Sequence, residues 1–249
     1  MSPDQQSFPF IKLDVIDSTN NYAMNLVKEG WTKNLACIWA RDQYQGKGQR
    51  GNTWLSEAGK NLTCSIIFFP VLLDAGDNFY LSMAVCLAAK KFLQSSCQDV
   101  KIKWPNDLYI AGKKAGGILI ENTLEKQNIR SSVIGIGINL NQKEFPADIP
   151  NATSVFLSSG KESDIEKSVL SLYSSVVESL KKLDMKLNAE IKPSYLQSLY
   201  GLGVQLSFRD LNGEFKGIIQ GVEDTGELII MDNEGNQRKY AFKEVEMIN

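Results

Sequence analysis

Apolar positions along the chain first fall at helical spacing behind a polar cap. Asp17-Ser18-Thr19-Asn20 precedes Tyr22, Ala23, Leu26 and Val27, and Gly30 follows, the order of an N-cap, a helical face and a C-cap. Residues 35–40 and 62–69 are short apolar runs that predict strands, the second closed by Pro70. The polar, glycine-bearing stretch 42–60 between them is longer than most connections, which predicts a functional loop. Helical spacing returns at 79–93, with Leu81, Val85, Ala88 and Ala89 available for burial. Further strands are predicted at 100–104, 108–110, 117–121 and 132–140. In the last of these, Gly135 and Gly137 alternate with β-branched residues, which implies close approach of backbone or ligand. Residues 165–187 form an amphipathic pattern, and 189–200 predict another helix. After Gly201-Leu202-Gly203, short strands alternate with the turn signals Asn212-Gly213, Thr225-Gly226 and Asn233-Glu234-Gly235-Asn236. Those turns predict hairpins in a small β-barrel and a boundary near residue 202. Without regular βαβ alternation, the larger part is expected to be α+β with a mixed, largely antiparallel sheet. The domains are expected at 1–201 and 202–249.

At 249 residues, 43% apolar and 22% charged, the chain can bury a sizeable core. A net charge of -2 leaves no basic face for nucleic acid, so no nucleic-acid partner is expected. Residues 1–6 lack the features of a signal peptide, and no apolar run approaches the roughly 20 residues needed to span a bilayer. No membrane partner and a cytoplasmic location are therefore expected. Cys37, Cys64 and Cys86 lie in apolar stretches, and with Cys97 they form no CxxC pair, so they read as small buried hydrophobes. There is no histidine. That excludes Ser–His and Cys–His dyads, histidine general bases and His-ligated zinc. An enzyme built from this set works through Lys, Arg, carboxylates, amides and backbone dipoles, which suits a substrate that brings its own nucleophile.

Three motifs carry chemistry. In Gly46-Lys47-Gly48-Gln49-Arg50-Gly51-Asn52-Thr53-Trp54, glycines expose bare N–H groups while Lys47 and Arg50 can meet phosphate or carboxylate, although a solvated loop has the same composition. It is neither a P-loop nor a dinucleotide fingerprint. Lys103-Trp104-Pro105-Asn106-Asp107 sets an amide and a carboxylate after an apolar run, a costly place for a charge unless Mg²⁺ or a cationic side chain answers it. The alternative is a strand end turning through Pro105. Lys114-Ala115-Gly116-Gly117 clears space around an ammonium, or else is a hairpin with solvated Lys113 and Lys114. Asn139 reads equally as a ligand contact or a capping amide, and Trp54 as a core anchor or an adenine-stacking surface.

Taken in order, these motifs resemble the biotin–protein ligases (biotin–[acetyl-CoA carboxylase] ligases) over residues 12–141, with 203–249 similar to the family's C-terminal SH3-like barrel. The resemblance implies a class II synthetase-like catalytic domain and a two-step reaction. Biotin and Mg·ATP give biotinyl-5'-AMP, and the biotinyl group then passes to a lysine of a biotin carboxyl carrier domain. Biotin is a substrate, and no tightly bound cofactor is implied beyond Mg²⁺ with ATP. By the same resemblance, Ser18, Thr19, Asn20 and Gln43 bind the biotin head group, bordered by Gly116 and Gly117. Lys114 and Arg50 are the catalytic candidates, Lys114 bridging the biotin carboxylate and the α-phosphate. Lys47, Gly48, Gln49 and Arg50 close over the intermediate. Gly46, Asn52, Trp54, Asn106, Asp107 and Asn139 face ATP, with Asp107 as the Mg²⁺ ligand. The family's loop is often Gly-Arg-Gly-Arg-Arg-Gly-Arg; Lys47, Gln49 and Asn52 here replace three arginines. Motifs that begin so near residue 1 are expected of the monofunctional kind, without a DNA-binding domain. Relatives often pair through the main sheet, which allows a homodimer. Lipoate and octanoate transferases share the fold, but Lys-Trp-Pro-Asn-Asp argues against them. A carrier-binding module without catalysis is the alternative of another class, and it would release no pyrophosphate.

Overall fold

A computed structural model describes residues 9–147, 149, 151–187 and 189–248, with the Arg50 side chain excepted. Residues 1–6, read above for a signal peptide, lie outside it. The chain runs through β1 (Phe10–Ile16), α1 (Thr19–Lys28), β2 (Ala36–Gln43), β3 (Leu62–Phe68), α2 (Asn78–Gln94), β4 (Val100–Lys103), β5 (Asp107–Ile110), β6 (Lys113–Glu125) and β7 (Asn128–Ile138). Then come α3 (Val155–Ser159), α4 (Ile165–Asp184), α5 (Ile191–Ser198), β8 (Gln205–Asp210), β9 (Gly213–Val222), β10 (Leu228–Asp232), β11 (Gln237–Tyr240) and β12 (Glu246–Ile248).

The first seven strands form one sheet in the order β1-β2-β3-β7-β6-β5-β4. Only the β1–β2 pairing is parallel, so the sheet is mixed and largely antiparallel as expected. Strand alternation decides what each face buries. Ala36, Ile38, Ile67 and Val133 pack under Ala23 of α1, while Cys37, Trp39, Cys64, Ile66, Phe68, Ile134 and Ile136 face the core built with α2 and α4. Helix α4 contributes Val169, Leu172, Val176 and Leu180 at the i, i+3/i+4 spacing of a buried stripe. Tyr195 of α5 is fully buried, meets Phe79 edge-on at 5.7 Å and donates to the Pro105 carbonyl at 2.9 Å. It thereby ties the helical layer to the Lys103–Asp107 motif.

Strands β8 to β12 form a second, antiparallel sheet in the order β11-β10-β9-β8-β12, with β11 and β12 at its edges. Trp104 crosses to it: its indole donates to the Gly226 carbonyl at 2.9 Å and meets Phe242 at 6.1 Å. Several elements differ from the sequence reading. The pattern gave no sign of β1, whose side chains are mostly half-exposed at the sheet edge, or of the five-residue α3. The strands expected at 117–121 and 132–140 are one long hairpin through Lys126, because the polar outer half of β6 does not read as buried strand. No helix among the described residues is long and apolar enough to cross a membrane.

Candidate active site

A cleft of about 610 Å³ opens on the α1 side of the main sheet, where Gly117, Gly135 and Gly137 take the place of larger side chains. Helix α1 begins at its rim. Gly30 follows the helix with φ +90°, as its C-terminal signal predicts. Ser18 is the N-cap residue but makes no side-chain cap bond; Gln43 Oε1 instead accepts from Thr19 N at 2.7 Å. The Ser18 carbonyl accepts from Tyr22 N at 3.0 Å, but its buried side chain is not spent on the helix, and Ser18, Thr19, Asn20 and Gln43 all line the cleft.

Lys114 reaches the same cleft through a register slip. Asp107 pairs with Gly117 and Leu108 with Gly116, but Tyr109 then pairs with Lys114, so Ala115 is an extra residue in β6. Opposed residues in an antiparallel pair share a face, and alternation puts Tyr109 on the same face as Asp107. An unbroken register would set Lys114 opposite Ile110 on the far face. The bulge turns it over, and Lys114 Nζ stands 2.7 Å from Asp107 Oδ1. The cation that answers the Asp107 carboxylate is thus a side chain. Both remain partly exposed to the cleft, at 37% and 25%. Residues 151–153 clamp the Lys114 backbone, which donates to Asn151 O and accepts from Thr153 N, each at 2.8 Å. Asn106 donates from its side chain to the Ile118 carbonyl, latching the turn before β5 onto β6.

The loop after β2 is closed by its own backbone: Gly48 N donates to Asn52 O at 2.7 Å, and Trp54 N to Gly46 O at 2.9 Å. That leaves Lys47, Gly48, Gln49, Asn52 and Trp54 lining the cleft. The Trp54 indole lies on the glycine track, where a Cβ at Gly137 would come within 2.5 Å of its ring. Its Nε1–H is buried without a partner among the described residues. The alternation of glycines in β7 is explained by these two approaches, Gly137 under Trp54 and Gly135 under Asn20.

Three expected site residues do not line the cleft. Gly46 leaves room for the Trp54 backbone, and Gly116 faces Leu108 and Ile138 in the core. Asn139 Nδ2 donates to Thr153 O at 2.9 Å, while its buried Oδ1 has no partner among the described residues. The Arg50 side chain lies outside the described residues. Conversely, Lys103, which opens the Lys103–Asp107 motif but carries no expected role, lines the cleft, as do Phe208, Leu228, Phe242 and Glu246, which nothing in their local sequence marks. Burial holds Lys103 below the usual lysine range, opposed by nearby Asp107 and deepened by Lys114. All four cysteines are buried and unpaired, and burial pushes the Cys86 thiol up to about 12, as suits an inert core residue. Among the described residues no three His, Cys, Asp or Glu side chains gather to hold a metal. The Asp107 carboxylate suits Mg²⁺ carried on nucleotide phosphates, an ion that keeps waters and takes one or two protein ligands.

The model of the biotin/lipoate A/B protein ligase family matches residues 13–139. A biotin–[acetyl-CoA-carboxylase] ligase of Paracoccus denitrificans is 31% identical over 230 residues, covering 89% of this chain and 93% of that protein. The chain belongs to the biotin/lipoate A/B protein ligase family. The bifunctional ligase/repressor BirA of Bacillus subtilis is 30% identical over 92% of this chain and 71% of its own length. Among solved structures, the biotin protein ligase from Aquifex aeolicus in complex with biotin and ATP aligns with a TM-score of 0.77 and 27% identity, covering 96% of this chain and 98% of that one. The family match takes in α1, the basic loop and both strands that carry Lys114 and Asp107, and stops before the second sheet.

Proposed function

We propose that this chain is an ATP-dependent biotin–protein ligase. The observation that carries the reading is the cleft itself. It joins a hydrogen-bonding end, Thr19, Asn20 and Gln43, to a cationic end, Lys47, Lys103 and Lys114, and with no histidine in the chain it can hold no Ser–His or Cys–His dyad. Such a site suits a substrate whose carboxylate is the nucleophile, so that catalysis is positioning and neutralisation of charge. The biotin carboxylate oxygen bonds to the α-phosphorus of ATP as pyrophosphate leaves. A carrier lysine amine then attacks the acyl carbon of biotinyl-5'-AMP, losing its proton as the amide forms and AMP departs.

In this reading Ser18, Thr19, Asn20 and Gln43 hold the head group, with Gly117 beneath the tail. Lys114, aimed by the bulge and steadied by Asp107, meets the carboxylate and the α-phosphate. Lys47, Gly48, Gln49 and Arg50 cover the intermediate, while Asn52, Trp54, Asn106 and Asp107 serve the nucleotide. Mg²⁺ would arrive on the triphosphate, with Asp107 as its ligand, and lower the charge that the leaving pyrophosphate carries. We further infer that the second sheet is an SH3-like barrel forming a domain from residue 202, that the acceptor is a biotin carboxyl carrier domain, and that the protein acts in the cytoplasm. A homodimer through the main sheet is compatible with the fold. The test is mass spectrometry of a carrier domain incubated with this protein, biotin and Mg·ATP, with pyrophosphate followed in parallel and lipoate as the competing acid. One added biotinyl group is expected. An unmodified carrier without pyrophosphate release, or labelling by lipoate instead, would overturn the reading.

A further inference from the structure

Glu121 and Ser65, behind the head-group end, join Asn20 of its wall in a one-way hydrogen-bond chain into the cleft. Glu121, half-buried on β6, accepts from Asn20 Nδ2 at 2.9 Å. A carboxylate offers acceptors only, so the Asn20 amide is fixed with its Oδ1 turned away. That oxygen lies 2.5 Å from the Ser65 hydroxyl, in space that Gly135 leaves open. Ser65 is fully buried and also stands 2.8 Å from Thr19 Oγ1. It has one proton for two oxygens. Asn20 Oδ1 carries none, so the Ser65 proton goes there, and the Thr19 hydroxyl must donate to Ser65 Oγ. Only lone pairs of Thr19 then remain for the cleft. Beside it, Gln43 Oε1 is taken by Thr19 N, which leaves Gln43 the N–H pair of its Nε2. The wall presents an acceptor at Thr19 and a donor at Gln43.

We propose that Glu121, acting through Asn20 and Ser65, is a positioning residue that fixes the polarity of this pocket. The pocket thereby selects a head group with an N–H donor beside a C=O acceptor, as in a cyclic urea, over a sulfur-ring or hydrocarbon one. The inference rests on the biotin reading and adds to it the residue that sets its specificity. With Glu121 replaced by an amide, Asn20 can turn over. Ser65 then points its proton at Thr19, and the Thr19 proton meets the ligand N–H, donor against donor.

The experiment compares parent, Glu121→Gln, Ser65→Ala and, as a control on the same strand, Glu125→Gln, whose side chain is exposed. Pyrophosphate release is measured with biotin and with biotin methylated on both ureido nitrogens. Glu121→Gln and Ser65→Ala are expected to raise the KM for biotin about tenfold, the loss of one well-made hydrogen bond. They should leave kcat and the KM for ATP unchanged and shrink the parent's preference for biotin over the methylated form. An unchanged biotin KM and preference in Glu121→Gln would overturn the proposal. So would equal losses in kcat and in the KM for ATP, or the same shift in Glu125→Gln, which mark a general structural effect. Calorimetric binding of biotin to the same proteins separates the two readings. A parent that binds biotin but releases no pyrophosphate sinks the ligase alone; equal affinity in parent and Glu121→Gln sinks the polarity proposal alone.

Discussion

Two polar clusters in this molecule each pair a carboxylate with a cation and end in opposite conditions. In the second sheet, Asp232 accepts from Arg238 Nε at 2.8 Å and from the backbone of Glu234 and Asn236 at 3.0 and 2.8 Å. Asp210 accepts from the Tyr240 hydroxyl at 2.7 Å and from Asn212 N at 2.8 Å. These bonds hold both carboxyls below the usual range, the Asn236 backbone contributing most at Asp232 and the Tyr240 hydroxyl at Asp210. In the main sheet, Lys114 and Asp107 share one contact and keep their other valences toward the cleft, while the buried Trp54 indole N–H has no partner among the described residues. A saturated cluster stabilises a fold. An unsaturated one waits for a ligand, and the cost of leaving it open is borne by the structure around it.

Breaking the open cluster should give the largest effect. Lys114→Ala removes a charge-assisted contact to each reacting group, worth about 1.5–3 kcal/mol apiece, so pyrophosphate release should fall by about 10²- to 10⁴-fold. The protein should stay folded, because the ion pair lost is partly exposed. Lys114→Arg should restore little, since a planar fork is not a point charge. Near-parental release from a folded Lys114→Ala protein would take Lys114 out of the mechanism.

Much of this site could be read from the chain, and the reason is locality. Lys103 to Asp107, the loop from Gly46 and the Ser18 turn each sit within a few residues, and the absence of histidine narrowed the chemistry without any geometry. What was hidden is relational. The bulge at Ala115 shifts register by one residue and leaves no mark in composition, yet it decides which face Lys114 occupies. The helix cap came from Gln43, 24 residues from Thr19, and Glu121 meets Asn20 across 101 residues. A glutamate ending the apolar run 118–120 was the one available hint, the same signal that singled out Asp107. Asn139 fits either reading in sequence, and the structure gives its Nδ2 a partner at Thr153 while its Oδ1 has none among the described residues.

Breaking the saturated cluster should invert the pattern. Arg238→Ala strips the guanidinium from Asp232, so thermal denaturation should begin several degrees lower, with pyrophosphate release per folded molecule unchanged. Loss of release at full stability would mean that the second sheet does more than support the cleft. The same cluster sets an acid limit. A carboxyl whose folded pKa lies below its ordinary 3.8 lends stability that is fully present above that value and is lost as pH falls through the depressed one. The melting temperature of the parent should therefore drop as pH is lowered below about 4, and Asp232→Asn should flatten that drop. Parallel curves for parent and Asp232→Asn would show that acid acts elsewhere.

The smallest effect should come from the loop that is neither saturated nor central. Its backbone closes on itself through Gly48 and Asn52, so its side chains are spent on whatever lies in the cleft. A reactive acyl-adenylate must be sheltered until the acceptor lysine arrives, and an ordered loop over its phosphate is the means at hand. Lys47 and Gln49 both line the cleft, but Gln49 offers no charge to that phosphate. Lys47→Ala should therefore loosen the cover and release biotinyl-AMP, seen as labelling of bystander proteins, whereas Gln49→Arg should reduce the leakage of the parent. Because exposed charge contacts are worth at most about 1 kcal/mol, the change should be about fivefold or less in either direction. The assay compares bystander biotinylation at matched adenylate formation. Equal labelling by parent, Lys47→Ala and Gln49→Arg would mean that retention rests on the backbone closure and the Trp54 ring, and the contrast between loop and cleft would have to be redrawn around shape instead of charge.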